Sequence, residues 1–186
     1  MSSRASLIKA HLFLATFIFP AVLMFLVTGG LYTWGIKGSY VTQDYPLTLT
    51  EPLSGDMSSL KSLVEKELQQ LSLAAPTGNA KVKGSGSSLA LEWTGSKRDV
   101  SLAAGADPLS ATLTVRETTW YRNLVQLHKA KGGQVFKVYA ALLAVGLFLI
   151  LFTGFLMALQ MPRYRRLTII SSLSGLVLFG LAVVVS

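Results

Sequence analysis

Three stretches of the chain carry no formally charged residue: Ala10–Ile36, Val138–Pro162 and Leu167–Ser186, of 27, 25 and 20 residues. At about 1.5 Å per helical residue, each is long enough to cross a hydrocarbon core of roughly 30 Å, so the pattern predicts three transmembrane helices. The first is too long for the apolar core of a signal peptide, about 7–15 residues. It also closes on Thr28-Gly-Gly-Leu-Tyr-Thr-Trp34 rather than an Ala-x-Ala site, and so reads as a retained span. Pro20 is placed to kink it, and Tyr32 and Trp34 are placed as interfacial anchors.

Between the first two spans the texture changes. Every acidic residue lies between Lys37 and Glu117, together with turn formers Asp44, Pro46, Pro52 and Gly55. Asp56 is set to cap a helix over Met57–Leu73, with Leu60, Leu63, Val64, Leu68 and Leu71 on one face and Ala75-Pro-Thr-Gly-Asn79 ending it. Four strands are predicted after it. Ala80–Lys83 meets the turn Gly84-Ser-Gly86. Ser88–Thr94 alternates, with Leu89, Leu91 and Trp93 on one side, and Arg98–Ala103 turns Val100 and Leu102 inward. A last strand carries Ala111, Leu113 and Val115. One helix on a four-strand antiparallel meander satisfies this pattern, an α+β arrangement.

The expected organisation is therefore a tail and first span over 1–36, the α+β domain over 37–119, an amphipathic segment over 120–137 and a second span over 138–160. A basic turn over 161–166 and a third span over 167–186 complete it. The amphipathic segment puts Trp120, Leu124, Leu127 and His128 near one stripe. It is expected as an interfacial or continuous helix that bends at Gly132–Gly133, the alternative being a continuation of the last strand.

The formal net charge of +8 changes the picture only through its location. From Lys37 to Lys131 there are 11 basic and 9 acidic residues; the rest of the excess is Arg4, Lys9, Lys137, Arg163, Arg165 and Arg166, all flanking apolar runs. That distribution is a topology signal and not a groove for phosphodiesters, so the expected partner is the lipid bilayer and not nucleic acid. Basic residues in the short segments Met1–Lys9 and Gln160–Arg166 place both in the cytoplasm and the folded domain outside.

The chemistry on offer is sparse. Without cysteine there is no disulfide, thiolate nucleophile or thiolate-ligated metal. No Asp, Glu, Lys or Arg lies within a span, which argues against autonomous ion-coupled transport. Hydrolase, zinc-protease and phosphate-loop motifs are absent, so no catalytic residue is assigned and the expectation is that the chain is not an enzyme on its own. The two histidines, His11 and His128, are candidate ligands of b-type haem or, the reading composition alone favours, interfacial polar side chains whose rings dip into the headgroup region. About 30 Å of bilayer separates their expected depths, so one iron cannot take both. Gly29, Gly30, Gly146 and Gly154, with Gly175 and Gly180, are expected as points of close helix packing. Thr28 and Thr153 are placed to hydrogen-bond across helices or back to their own carbonyls.

The order of these parts resembles the PepSY-associated transmembrane proteins of bacterial inner membranes. The resemblance rests on His11 with Thr28-Gly29, the Ala106-Asp107-Pro108 turn, Leu127-His128-Lys129 with Gly132 and Gly133, and the second pair Thr153-Gly154. It implies an inner-membrane protein with a PepSY-like periplasmic domain and a cytoplasmic N-terminus. Three roles follow from it: a non-enzymatic accessory or regulatory subunit of a larger assembly, a haem b-binding electron-transfer component of iron reduction from ferric siderophores, or a peptidase modulator. The first is the leading expectation. In the second, a two-fold homodimer would pair His11 with His11 and His128 with His128 around two haems.

Overall fold

The computed structural model describes residues 2–186. Three of its helices are long and apolar enough to cross a membrane: α1 (Ser2–Thr33), α4 (Gly133–Gln160) and α5 (Pro162–Val185). Pro162 opens α5 at its first turn, where a missing N–H costs nothing. Contacts divide the chain into two compact units, one holding the residues through Val22 together with Leu142–Ser186, the other Leu23–Ala141. The boundaries fall inside α1 and α4.

The second unit contains the folded domain: β1 (Tyr40–Thr48), α2 (Met57–Gln70), β2 (Ala80–Lys83), β3 (Ala90–Trp93), β4 (Arg98–Ala104) and β5 (Ser110–Thr118). The sheet has five strands in the order β1-β5-β4-β3-β2, all antiparallel, where the sequence pattern gave four. The added strand, β1, pairs with β5 from Tyr40 opposite Thr118 to Thr48 opposite Ser110. Asp44 and Pro46, read as turn formers, sit within it. An edge strand tolerates both, because proline's missing N–H can face away from the ladder, and Asp44 accepts a hydrogen bond from Thr114 Oγ1 at 2.6 Å. The strand expected from Ser88 begins at Ala90, after a short 3-10 turn over Gly86–Ser88.

One face of the sheet is apolar. Leu91, Trp93, Val100, Leu102, Ala111, Leu113 and Val115 are buried there against Leu60, Val64 and Leu68 of α2, while Leu63 and Leu71 flank this core half-buried. Period-two alternation thus meets a helical stripe, and burying both apolar sets is what fixes α2 to this side. Asp56 caps α2: its Oδ2 accepts from the Ser59 backbone N–H and from the Ser59 hydroxyl, both at 2.8 Å. These bonds, the backbone one foremost, hold the Asp56 carboxyl below its ordinary value. A group depressed on folding stabilises fully above its ordinary pKa, and the contribution disappears as pH falls through the lowered folded value. Asp56→Asn should therefore flatten the acid-side fall in the unfolding temperature of the full chain, measured by circular dichroism.

The segment after β5 is helical and not a strand continuation. Helix α3 (Trp120–His128) ends in a turn through Ala130, whose φ is +57°, and α4 starts at Gly133, whose φ is +77°. A Cβ at Gly132 would lie 2.6 Å from Leu127 Cδ2 and 2.7 Å from Phe136 Cβ, so the bend expected at the glycine pair is packed as well as turned. The buried positions of α3 are Val125 and Gln126, with Leu124 and Leu127 half-buried and Trp120 and His128 exposed.

Candidate functional site: two histidines on Thr–Gly pairs

Each histidine meets one of the two Thr–Gly pairs. In the first unit, His11 of α1 places Nδ1 2.8 Å from Thr153 Oγ1 of α4. In the second, His128 at the end of α3 places Nδ1 2.8 Å from Thr28 Oγ1 of α1. Both threonines are anchored to the preceding helical turn. Thr28 Oγ1 donates to the Met24 carbonyl at 2.6 Å, and Thr153 Oγ1 donates to the Leu149 carbonyl at 2.6 Å. A hydroxyl has one proton. With that proton committed to a carbonyl, each Oγ1 can only accept from the histidine, so Nδ1 carries the hydrogen. In the neutral ring the lone pair is then on Nε2.

The glycine beside each threonine gives the ring room. A Cβ at Gly29 would stand 3.1 Å from His128 Cε1, and one at Gly154 would stand 3.5 Å from His11 Cε1. His128 also packs on Phe25, with ring centroids 4.9 Å apart. Thr28 is 2% exposed, so its hydroxyl is shielded from water that would otherwise compete for it. A Cβ at Gly146 would stand in ordinary contact with Ile18 and Leu14, 3.6–3.8 Å away. A Cβ at Gly30, Gly175 or Gly180 would meet nothing within 4 Å.

Thr28→Val and Thr153→Val keep the volume and remove the acceptor. Loss of such an orienting partner typically weakens metal binding by about 10- to 100-fold, the fall to be expected in haem titration of the purified protein if these imidazoles ligate iron. Gly29→Ala should disturb its site more than Gly154→Ala, because only the former forces the ring to shift.

A polar cluster that the sequence reading missed holds α3 on the second face of the sheet. The Tyr40 hydroxyl donates to Asp99 Oδ2 at 2.8 Å and accepts from Arg122 Nη2 and from Gln126 Nε2, both at 2.9 Å. Gln126, fully buried, also donates to Asp99 Oδ2 at 3.2 Å. The other Asp99 oxygen accepts from the Gly95 backbone N–H at 3.0 Å, and Lys131 Nζ lies 3.7 Å from Oδ2. Burial pushes the Tyr40 phenol above its ordinary value, while Arg122 pulls it down. The net upward shift keeps it a neutral donor at physiological pH. Arg122 Nη1 reaches the Lys37 carbonyl at 3.1 Å. A Cβ at Gly38, whose φ is +71°, would lie 2.8 Å from the Arg122 backbone nitrogen. This cluster sets the angle at which α3 presents His128.

Among the described residues no group of three or more His, Asp or Glu side chains could hold a bare metal ion. A porphyrin iron asks for less, since the macrocycle supplies four nitrogens and the protein only axial donors. A histidine fixed through Nδ1–H with Nε2 unprotonated suits that role, so the donor set fits haem one imidazole at a time. No family model, curated protein or solved structure matches the chain. What stands is a membrane protein with three apolar helices long enough to span, a helix-on-sheet domain and two histidine–threonine–glycine sites.

Proposed function

We propose that the chain is a haem b-binding subunit of a bacterial inner-membrane assembly that moves electrons across the bilayer. The observation that carries this is the repetition of one arrangement. Both histidines set Nδ1 2.8 Å from the hydroxyl of a threonine that also bonds a carbonyl of its own helix, and both rings lie beside the adjacent glycine. Two interfacial polar side chains with no shared task would have no reason to find the same partners. His11 and His128 would each supply one axial imidazole, with Thr153 and Thr28 positioning them. Bound haem supplies a reversible one-electron couple, and the protein tunes it through the imidazole hydrogen bond and the polarity around the ring.

One histidine per site supports an assembly, because a second axial imidazole must come from another chain. A two-fold homodimer or a larger complex meets that need. No residue of α5 is buried, which leaves its whole circumference for lipid or for a neighbouring helix. The folded domain, for which the basic residues of the short segments favour an outside position, is read as PepSY-like and as the accessory part that orients His128 through α3. The test is the absorbance spectrum of the full chain purified in detergent after expression with ample haem. An intense Soret band with sharp reduced bands is expected, and a colourless, monodisperse protein would overturn the reading.

A further inference from the structure

A second site lies between the sheet edge and the turn that enters α4. A cleft of about 370 Å³ is lined there by Lys81, Lys83, Lys129, Lys131, Lys137 and a single carboxylate, Glu92. Lys81 stands opposite Glu92 in the β2–β3 register, on the sheet face away from the apolar core. The wall is closed where Thr77 Oγ1 meets the Lys131 carbonyl at 3.4 Å. Glu92 is already engaged by Lys83 at 2.7 Å, and Lys131 leans on Asp99 at 3.7 Å. Lys129 lies over the Tyr32 ring at 5.6 Å. Among the described residues Lys81 and Lys137 have no ion-pair partner. The cleft therefore carries several ammonium groups and too few carboxylates to balance them.

Lys137 sharpens the point. It follows the α4 start by one turn, where unpaired backbone N–H groups already make the potential positive and a cation is disfavoured. It is also half-buried. A lysine held in that place, facing four others, lacks an anion. The uncharged run of α4 begins at the next residue, Val138, so the cleft stands at the level of the lipid headgroups.

We infer that this cleft binds a phosphate group, carried by an anionic lipid headgroup or by a soluble phosphate. The inference needs no haem, and its test is separate from that of the electron-transfer reading. Full-length protein is examined by native mass spectrometry after exchange from vesicles of phosphatidylglycerol in phosphatidylcholine, and by thermal unfolding against inorganic phosphate and pyrophosphate. Selective retention of phosphatidylglycerol assigns the lipid source. Saturable stabilisation by the inorganic anions without lipid preference assigns the soluble one. A surface lysine contributes about 1 kcal/mol to attraction of an anionic headgroup, so each one removed should weaken binding about fivefold. The loss is expected in Lys81→Gln with Lys137→Gln and not in Lys81→Arg with Lys137→Arg, which also controls for folding. Binding of neither probe, or binding undiminished in the glutamine pair, would overturn the inference.

Discussion

Replacing His128 with alanine should strip the purified protein of the haem at that site and leave the one at His11, and His11→Ala should do the reverse. Each variant is expected to keep roughly half the wild-type haem per chain, and the double variant none, since the two imidazoles are the axial donors the proposal assigns. No other histidine and no cysteine is available to substitute. The pyridine haemochrome assay gives the ratio directly. The two half-spectra need not be identical, because Thr28 is nearly fully buried whereas Thr153 is half-exposed, and the hydrogen-bonded environment of an imidazole helps set the iron potential.

Asp99→Ala should act on His128 without touching it. Asp99 accepts from Tyr40, Gln126 and Gly95 at once, and its side chain is only 18% exposed. Its removal leaves the Gln126 amide and the Tyr40 phenol short of partners in a dry interface where the Gln126 Oε1 is already unpaired. Hydrogen bonds to a charged group are worth about 1.5–3 kcal/mol each, and stranded buried donors add to the loss. The domain should unfold at a clearly lower temperature, and haem should be lost from the His128 site while the His11 site keeps its own. Asp99→Asn retains the shape and one acceptor and should fall between. A loss of haem from both sites alike would point to general misfolding and not to a docking role for Asp99.

The sequence made legible whatever repeats at short range. Uncharged runs mark the three spanning helices, and the Asp56 cap with the leucine stripe marks α2. The alternation Leu91–Trp93, Val100–Leu102 and Ala111–Val115 marks the core strands. The strand β1 was hidden because it lies at an edge. There, outward polar residues and a proline cost little, so Asp44 and Pro46 look like a turn when only their neighbours are considered. Both threonines were seen as partners across helices or to their own carbonyls; in fact each does both with one hydroxyl. Which histidine each would meet was not legible, since the pairs are separated by 100 and 142 positions and no local period encodes them. The Tyr40–Asp99–Gln126 cluster was missed for the same reason. A glutamine on an amphipathic helix reads as solvated until the sheet brings a carboxylate beneath it.

The most direct test is nitrogen NMR of the haem-free protein labelled with ¹⁵N-histidine, a spectrum made simple by the presence of two histidines. The account predicts that in both neutral rings the proton resides on Nδ1 and that Nε2 is bare. It predicts further that the Nε2 signals are the ones displaced or broadened when haem is added. Protons found on Nε2, or two averaged rings that haem leaves unmoved, would contradict it.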